Sequence, residues 1–256
     1  MTARPALQNP IVLVHGIGAF GTIGPIEYFH GIPSLLRDAG NRVYIPQLSP
    51  WDTIERRATQ LKERIEREFP DGEKVNLIAH SMGGLDCRYL ASRLGFAERV
   101  ASVTTIGTPH RGSFLADLIC EAVPTAAGML ARKAIELLKL PAGGLRQLGT
   151  RHCNEVFHHE VPDAPNVAYF SATSAIPDPV FKHSLPVFWP THKVLLEREG
   201  DNDGFVSVGS AEWGTHICTY RGDHYGQIGQ LLGRSRGLDH MKFFEEITGR
   251  LRREGM

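Results

Sequence analysis

Residues Val75-Asn76-Leu77-Ile78-Ala79-His80-Ser81-Met82-Gly83-Gly84-Leu85 decide the fold class. An apolar run meets a serine set among small residues and passes straight into a helix-like sequence. This pattern reads as a buried strand turning sharply into a helix, with Ser81 at the apex. Such an elbow strains the serine backbone, so its neighbours must be small and its hydroxyl stands clear of the sheet edge. Ser81 is therefore the candidate nucleophile. The usual spacing is Gly-x-Ser-x-Gly, and Ala79 here replaces the first glycine at the cost of one methyl group. A strand–helix crossover without chemistry would share the local pattern, so the partner loops must decide.

Pro10-Ile11-Val12-Leu13-Val14 reads as a short buried strand, and His15-Gly16-Ile17-Gly18-Ala19-Phe20 as the loop at its carboxyl end. Ligands of an open parallel sheet bind at that end. A nucleophilic serine also needs two N–H donors for a developing oxyanion: one from the residue after it, one from an early strand–helix loop. Met82 and Ile17 are the candidates. His15 is set aside as a base, because in this chain order the base follows the acid; it is expected to pin its loop. His15, Gly16 and Phe20, with Phe205 further on, are the candidate substrate contacts.

The acid and the base are sought downstream, in the order Ser, Asp, His. Glu199-Gly200-Asp201-Asn202-Asp203-Gly204-Phe205 is a polar turn with acidic residues at its rim, and Asp203 is the chosen acid. Arg221-Gly222-Asp223-His224-Tyr225-Gly226-Gln227 follows the apolar run 216–220, which places His224 on a strand-end loop as the base. His240 is the rival, although it opens the last helix instead of closing a strand.

The rest of the chain alternates strands and helices, the pattern of a doubly wound, mostly parallel sheet. Helices are expected over 28–39, 53–69, 82–94 and 241–253, and strands over 43–46, 74–80, 100–106, 167–174 and 216–220. In the 53–69 segment Ile54, Ala58, Leu61, Ile65 and Phe69 recur at three or four residues, with Glu and Arg assigned to a solvated face. The sheet is expected to lack the first strands of larger relatives. Two apolar stretches, 115–123 and 126–140, interrupt the alternation and suggest a helical lid inserted at about 114–160 of a single domain spanning 1–256. His152, Glu155 and His159 would share one face of a helix there, as a metal site or a solvated surface; the surface is preferred and no metal is assigned.

The 256 residues are 42% hydrophobic, enough for one sizeable core, and their formal net charge is zero, which gives no reason to expect nucleic acid as a partner. Four dispersed cysteines without a C-x-x-C pair fit a reducing compartment better than a disulfide framework. No signal peptide or membrane-spanning run is legible, so the chain as written reads as cytoplasmic; a trimmed mature form of a secreted protein would look the same.

Together the segments 11–20, 28–33, 48–50, 57–61, 75–90 and 103–113, with the Asp203-Gly204 and His224 loops, resemble the bacterial triacylglycerol lipases of the Pseudomonas and Proteus kind. The resemblance implies an α/β-hydrolase fold and hydrolysis of fatty acyl esters through an acyl-enzyme. In it Ser81 is the nucleophile, Asp203 the acid, His224 the base, and Ile17 and Met82 the oxyanion donors. It also implies a lipid substrate, transient contact with a lipid interface and no organic or redox cofactor. A short-chain carboxylesterase or thioesterase, or a non-catalytic protein on the same fold, are the alternatives.

Two departures stand out. Members of that group carry an aspartate two residues past the histidine that helps hold a structural calcium, and here Gly226 occupies the position. The cysteines Cys87, Cys120, Cys153 and Cys218 do not fall where the group closes its disulfide. A calcium site loses much of its affinity with each missing carboxylate, and Asp178 or Asp239 would have to compensate. A chelator is therefore expected to leave both activity and Tm unchanged; a fall in Tm reversed by added calcium would overturn this.

Overall fold

A computed structural model describes residues 6–18, 22–23, 26–120, 143–230 and 237–256. Its strands are β1 (Ile11–Val14), β2 (Thr22–Ile23), β3 (Ile26–Glu27), β4 (Val43–Tyr44), β5 (Val75–His80), β6 (Val100–Ile106), β7 (Ala168–Ala175) and β8 (Thr215–Arg221). Six of them form one parallel sheet in the order β4-β1-β5-β6-β7-β8, while β2 and β3 pair as a separate small hairpin. Every residue of β1 and β5 is buried, as expected for a parallel sheet covered on both faces.

Alternation along the strands divides the core. Ile11, Leu13, Ile78 and Ile106 face one side, packing with Ile32 and Leu36 of the helix Ile32–Asp38 and with Phe243, Phe244, Ile247 and Leu251 of the helix His240–Arg253. Val12, Val14, Leu77, Ala79 and Val103 face the other, under Ala58, Leu61 and Ile65 of the helix Ile54–Glu68 and Cys87 and Leu90 of the helix Gly83–Arg93. The connection after β1 leads to one side, to β4, whereas β5 lies on the other side of β1. The strand order therefore reverses between β1 and β5, and the crevice outside their carboxyl ends is where such sheets bind ligands.

The helix expected over 28–39 covers only Ile32–Asp38, because Gly31 before it has φ 69° and residues 28–31 form a turn that carries Tyr28 inward. Arg57, assigned with the other charges to a solvated face, is completely buried. It lies three residues past Ile54 and thus on the apolar stripe. Its Nε donates to Asp86 Oδ2 at 2.9 Å, and its Nη1 and Nη2 donate to the carbonyls of Ser49 and His15, each at 2.7 Å. Burial pushes the Asp86 carboxyl up to about 6, against the opposing pull of Arg57.

The helix Trp189–Glu199 is an addition to the expected elements. Only His192 and Leu195 are buried in it and Leu196 is exposed, so its sequence carries no apolar stripe. Of the expected lid, residues 121–142 lie outside the described residues. On their flanks, Ala116, Leu148, Cys153, Phe157 and Val161 are buried in a third cluster with Ile54, Met82 and Leu85. His152–Phe157 winds as a π-helix, so His152, Glu155 and His159 do not share the face that 3.6-residue spacing assigned them. Among the described residues no disulfide forms, and no helix is long and apolar enough to cross a membrane.

Removing one member of a buried ion pair leaves the other charge without compensation, which costs about 3–5 kcal/mol. Arg57→Met is therefore expected to lower the urea midpoint and Tm sharply, while Arg56→Met, one residue away and exposed, leaves both in place. Equal stability of the two variants would show that Arg57 is not a structural tie.

Candidate active site

Ser81 follows directly on β5 with φ 56°, a left-handed conformation that costs a non-glycine residue roughly 1–2 kcal/mol. Its N–H donates to the Ile106 carbonyl at 2.9 Å, and its own carbonyl accepts from Thr108 Oγ1 at 2.7 Å, so both sides of the elbow are fixed. The helix Gly83–Arg93 starts two residues later, with Met82 as its N-cap. A Cβ on Gly83 would come within 2.8 Å of the Val14 and His15 carbonyl oxygens, which is why the helix can begin so close to β1.

The loop after β1 approaches from the other side of the crevice. A Cβ on Gly16 would lie 2.7 Å from Ser81 Cβ, so no larger residue fits there. His15 is fully buried. Its Nε2 accepts the Leu48 N–H at 3.0 Å, which leaves Nδ1 protonated to donate to the Gly16 carbonyl at 3.0 Å. Burial, helped by Arg57, lowers its pKa to about 4, so the ring stays neutral. The structure thus turns His15 toward its own loop, and neither it nor Gly16 lines the cavity described below. Ile17 does line it; Phe20 lies outside the described residues.

Asp203, on the turn after the helix Trp189–Glu199, and His224, on the loop after β8, come together. Asp203 Oδ2 lies 2.7 Å from His224 Nδ1, and the His224 N–H donates to the Asp203 carbonyl at 2.9 Å. The second carboxylate oxygen, Oδ1, accepts the N–H groups of Phe205 and Val206 at 2.9 and 2.7 Å. Two backbone donors and a histidine thus fix the orientation of this carboxylate. The turn is anchored by buried Asn202, whose Oδ1 accepts from Gly204 N–H and whose Nδ2 donates to the His192 and Gly200 carbonyls. The rival His240 lies elsewhere, with its Nε2 3.1 Å from the His30 carbonyl, and Asp201 is exposed.

Ser81 and His224 line one cavity of about 490 Å³ together with Ile17 and Phe205. Its remaining wall is almost wholly apolar, including Leu118, Ile119, Leu145, Leu148 and Val194. The candidate nucleophile and the candidate base thus open onto an apolar pocket, the combination that an acyl chain fits.

A model of the α/β hydrolase fold family matches residues 56–191. A triacylglycerol lipase of Vibrio cholerae is 32% identical over 97% of this chain and 89% of its own length, and one of Pseudomonas fragi is 32% identical over 97% and 98%. The chain belongs to the triacylglycerol lipase family of α/β hydrolases. Solved structures agree on the fold: the mature lipase BlEst2 of Bacillus licheniformis superposes with a TM-score of 0.72 at 23% identity, covering 97% of this chain and 93% of that one. The Staphylococcus hyicus lipase gives 0.75 at 18%, covering 98% and 97%.

Among the described residues, the carboxylates of Asp223 and Asp239 are engaged in ways that do not suit the calcium of the family the chain resembles. Next to His224, Asp223 has its Oδ1 on the Gly226 N–H at 2.8 Å and its Oδ2 on the Leu185 N–H at 2.9 Å. That carboxylate ties backbone to backbone and Gly226 adds no oxygen ligand of its own side chain. Asp239 is likewise engaged, capping the last helix through the Lys242 N–H. Sequence reasoning also missed Tyr28, His80 and Gln227 beneath the elbow. His80 and Gln227 did stand beside named residues, but nothing in their spacing marked them.

Asp203→Asn is expected to lower kcat by roughly four orders of magnitude, since the amide cannot hold the imidazole in the same tautomer. His224→Ala should fall comparably, while Asp201→Asn and His240→Ala keep most activity. A dead His240 variant beside an active His224 variant would reassign the base.

Proposed function

We propose that this protein hydrolyses carboxylic esters of fatty acids, with Ser81 as nucleophile, His224 as general base and Asp203 as its orienting acid. The observation that carries the reading is the 2.7 Å Asp203–His224 contact beside a strained serine on an apolar cavity. His224 Nε2 takes the Ser81 proton as Oγ attacks the ester carbonyl. The oxyanion of the tetrahedral intermediate is held by the N–H groups of Ile17 and Met82, and the imidazolium then protonates the departing alcohol. Water, deprotonated by the same His224, cleaves the acyl-enzyme, and Ser81 regains its proton as the fatty acid leaves. The similarity to triacylglycerol lipases supports a lipid ester as substrate.

Transient contact with a lipid interface is part of this proposal. Trp189 and Tyr225 are exposed large aromatics, and their chain neighbours Pro190 and His224 line the cavity. Apolar groups so placed gain about 25 cal/mol per Å² when an oil surface covers them.

A panel of nitrophenyl esters of increasing chain length, run with and without emulsified triglyceride, tests substrate class; turnover confined to the shortest acyl groups would make the protein an esterase. Ser81→Ala is expected to cost on the order of a millionfold in kcat with little change in Tm. An active-site phosphonate should label the wild type and leave this variant unlabelled. Retained turnover in the folded variant sinks the assignment.

A further inference from the structure

A line of buried polar groups runs beneath Ser81, and ester cleavage does not itself call for it. It begins on the loop after β1, where the Gly16 N–H donates to Tyr28 Oη at 3.0 Å. Tyr28 Oη lies 2.7 Å from His80 Nδ1. Across the imidazole, His80 Nε2 is 3.1 Å from both Gln227 Oε1 and the His224 carbonyl oxygen. Gln227 Nε2 donates to Asp203 Oδ2 at 2.9 Å and to Ser174 Oγ at 2.8 Å. The line thus joins the loop that carries one oxyanion donor to the carboxylate that orients the base.

Each bond in the line has only one allowed direction. The Asp203 carboxylate can only accept, so the Gln227 amide must present its nitrogen to Asp203 and its oxygen to His80. His80 Nε2 then faces two acceptor oxygens and must carry the ring proton. A neutral imidazole protonated there has its lone pair at Nδ1, so Tyr28 donates its hydroxyl hydrogen to His80 and receives the Gly16 N–H on its oxygen. Burial, aided by the neighbouring His224, holds His80 well below the usual histidine range, and burial raises the Tyr28 phenol. Both groups therefore keep the required protonation state across neutral pH.

We infer that Tyr28, His80 and Gln227 are positioning residues that set the oxyanion loop and the Asp203–His224 pair as a single unit. The inference rests on the roles proposed above for Ser81, His224 and Asp203. Tyr28→Phe removes one oxygen and leaves two groups, Gly16 N–H and His80 Nδ1, without their partner. Gln227→Met removes one of the two donors on Asp203 Oδ2 and one of the two acceptors facing His80 Nε2. The two side chains meet only through His80, so coupling between them reports the line itself.

The test is a double-mutant cycle on the full chain with a soluble nitrophenyl butyrate ester, following kcat, KM, Tm, the pH profile of kcat/KM and phosphonate labelling. Each single variant is expected to lower kcat about tenfold at unchanged KM, and the double variant by about the same factor instead of roughly a hundredfold. Gln227→Met should also move the acidic limb of the profile upward. Without the amide donor, Asp203 concentrates more negative charge on Oδ2 and stabilises the His224 imidazolium further. Multiplicative losses, or a kcat loss with an unmoved limb, overturn the inference. If Gln227→Met does not fold, Gln227→Asn, one methylene shorter, breaks the same bridge and carries the same expectations. A wild type that the phosphonate fails to label would instead overturn the proposed roles of the catalytic residues.

Discussion

The buried Arg57 guanidinium holds the two sides of the strand-order reversal together, and the rest of the site depends on that tie. It spans from the Asp86 carboxylate, on the helix that begins at the elbow, to the carbonyls of His15 and Ser49 on the loops after β1 and β4. Those carbonyls lie at loop positions that no sheet ladder satisfies, and a buried carbonyl without a donor costs free energy comparable to a lost hydrogen bond. An arginine answers three such needs with one planar fork, which a lysine cannot do. The desolvation of the charge is offset only because each direction of the fork finds an acceptor.

With the loop so held, the histidines near the elbow divide by what their ring nitrogens face. His15 and His80 are buried with both nitrogens committed to fixed partners, and burial keeps them neutral. They act as rigid hydrogen-bonding spacers with a set tautomer. His224 differs: its Nδ1 is committed to Asp203 while the ring borders the cavity alongside Ser81. A proton acceptor in acyl transfer needs one fixed nitrogen and one that is available to the substrate side, and among these three rings His224 meets that requirement.

Much of this was legible in the sequence because it rests on local rules. The strand at 100–106 was placed to the residue, and the other five of the main sheet within one or two, helped in β1 and β5 by full burial, which reads as a short continuous apolar run; the small hairpin β2–β3 was not expected. The elbow and the loops bearing Asp203 and His224 could be located by chain order at strand ends. What was not legible depends on pairing across long sequence distances. Arg57 read as one more surface charge until Asp86, 29 residues on, supplied its counter-charge. Tyr28 and Gln227 are linked through His80 over intervals of 52 and 147 residues, and no periodicity reports such a link. The helix Trp189–Glu199 escaped for a different reason: a helix that walls a cavity needs no apolar stripe of its own.

The substitution at Ala79 shows which glycine of the elbow pattern is a steric demand. Ala79 is the fifth residue of β5, paired with Val14 and Thr105, and its methyl joins the core face beneath the helix Ile54–Glu68. A side chain there points along the pleat into a packed layer, away from the turn, so one methyl adds buried apolar contact without crowding Ser81. Gly83 stands on the other side of the elbow, where an added Cβ would press on two backbone carbonyl oxygens of the neighbouring strand and loop. Backbone cannot yield there without moving the loop that Arg57 fixes. The first position of the pattern is therefore open to a small residue, and the last is closed by the approach of the helix to β1.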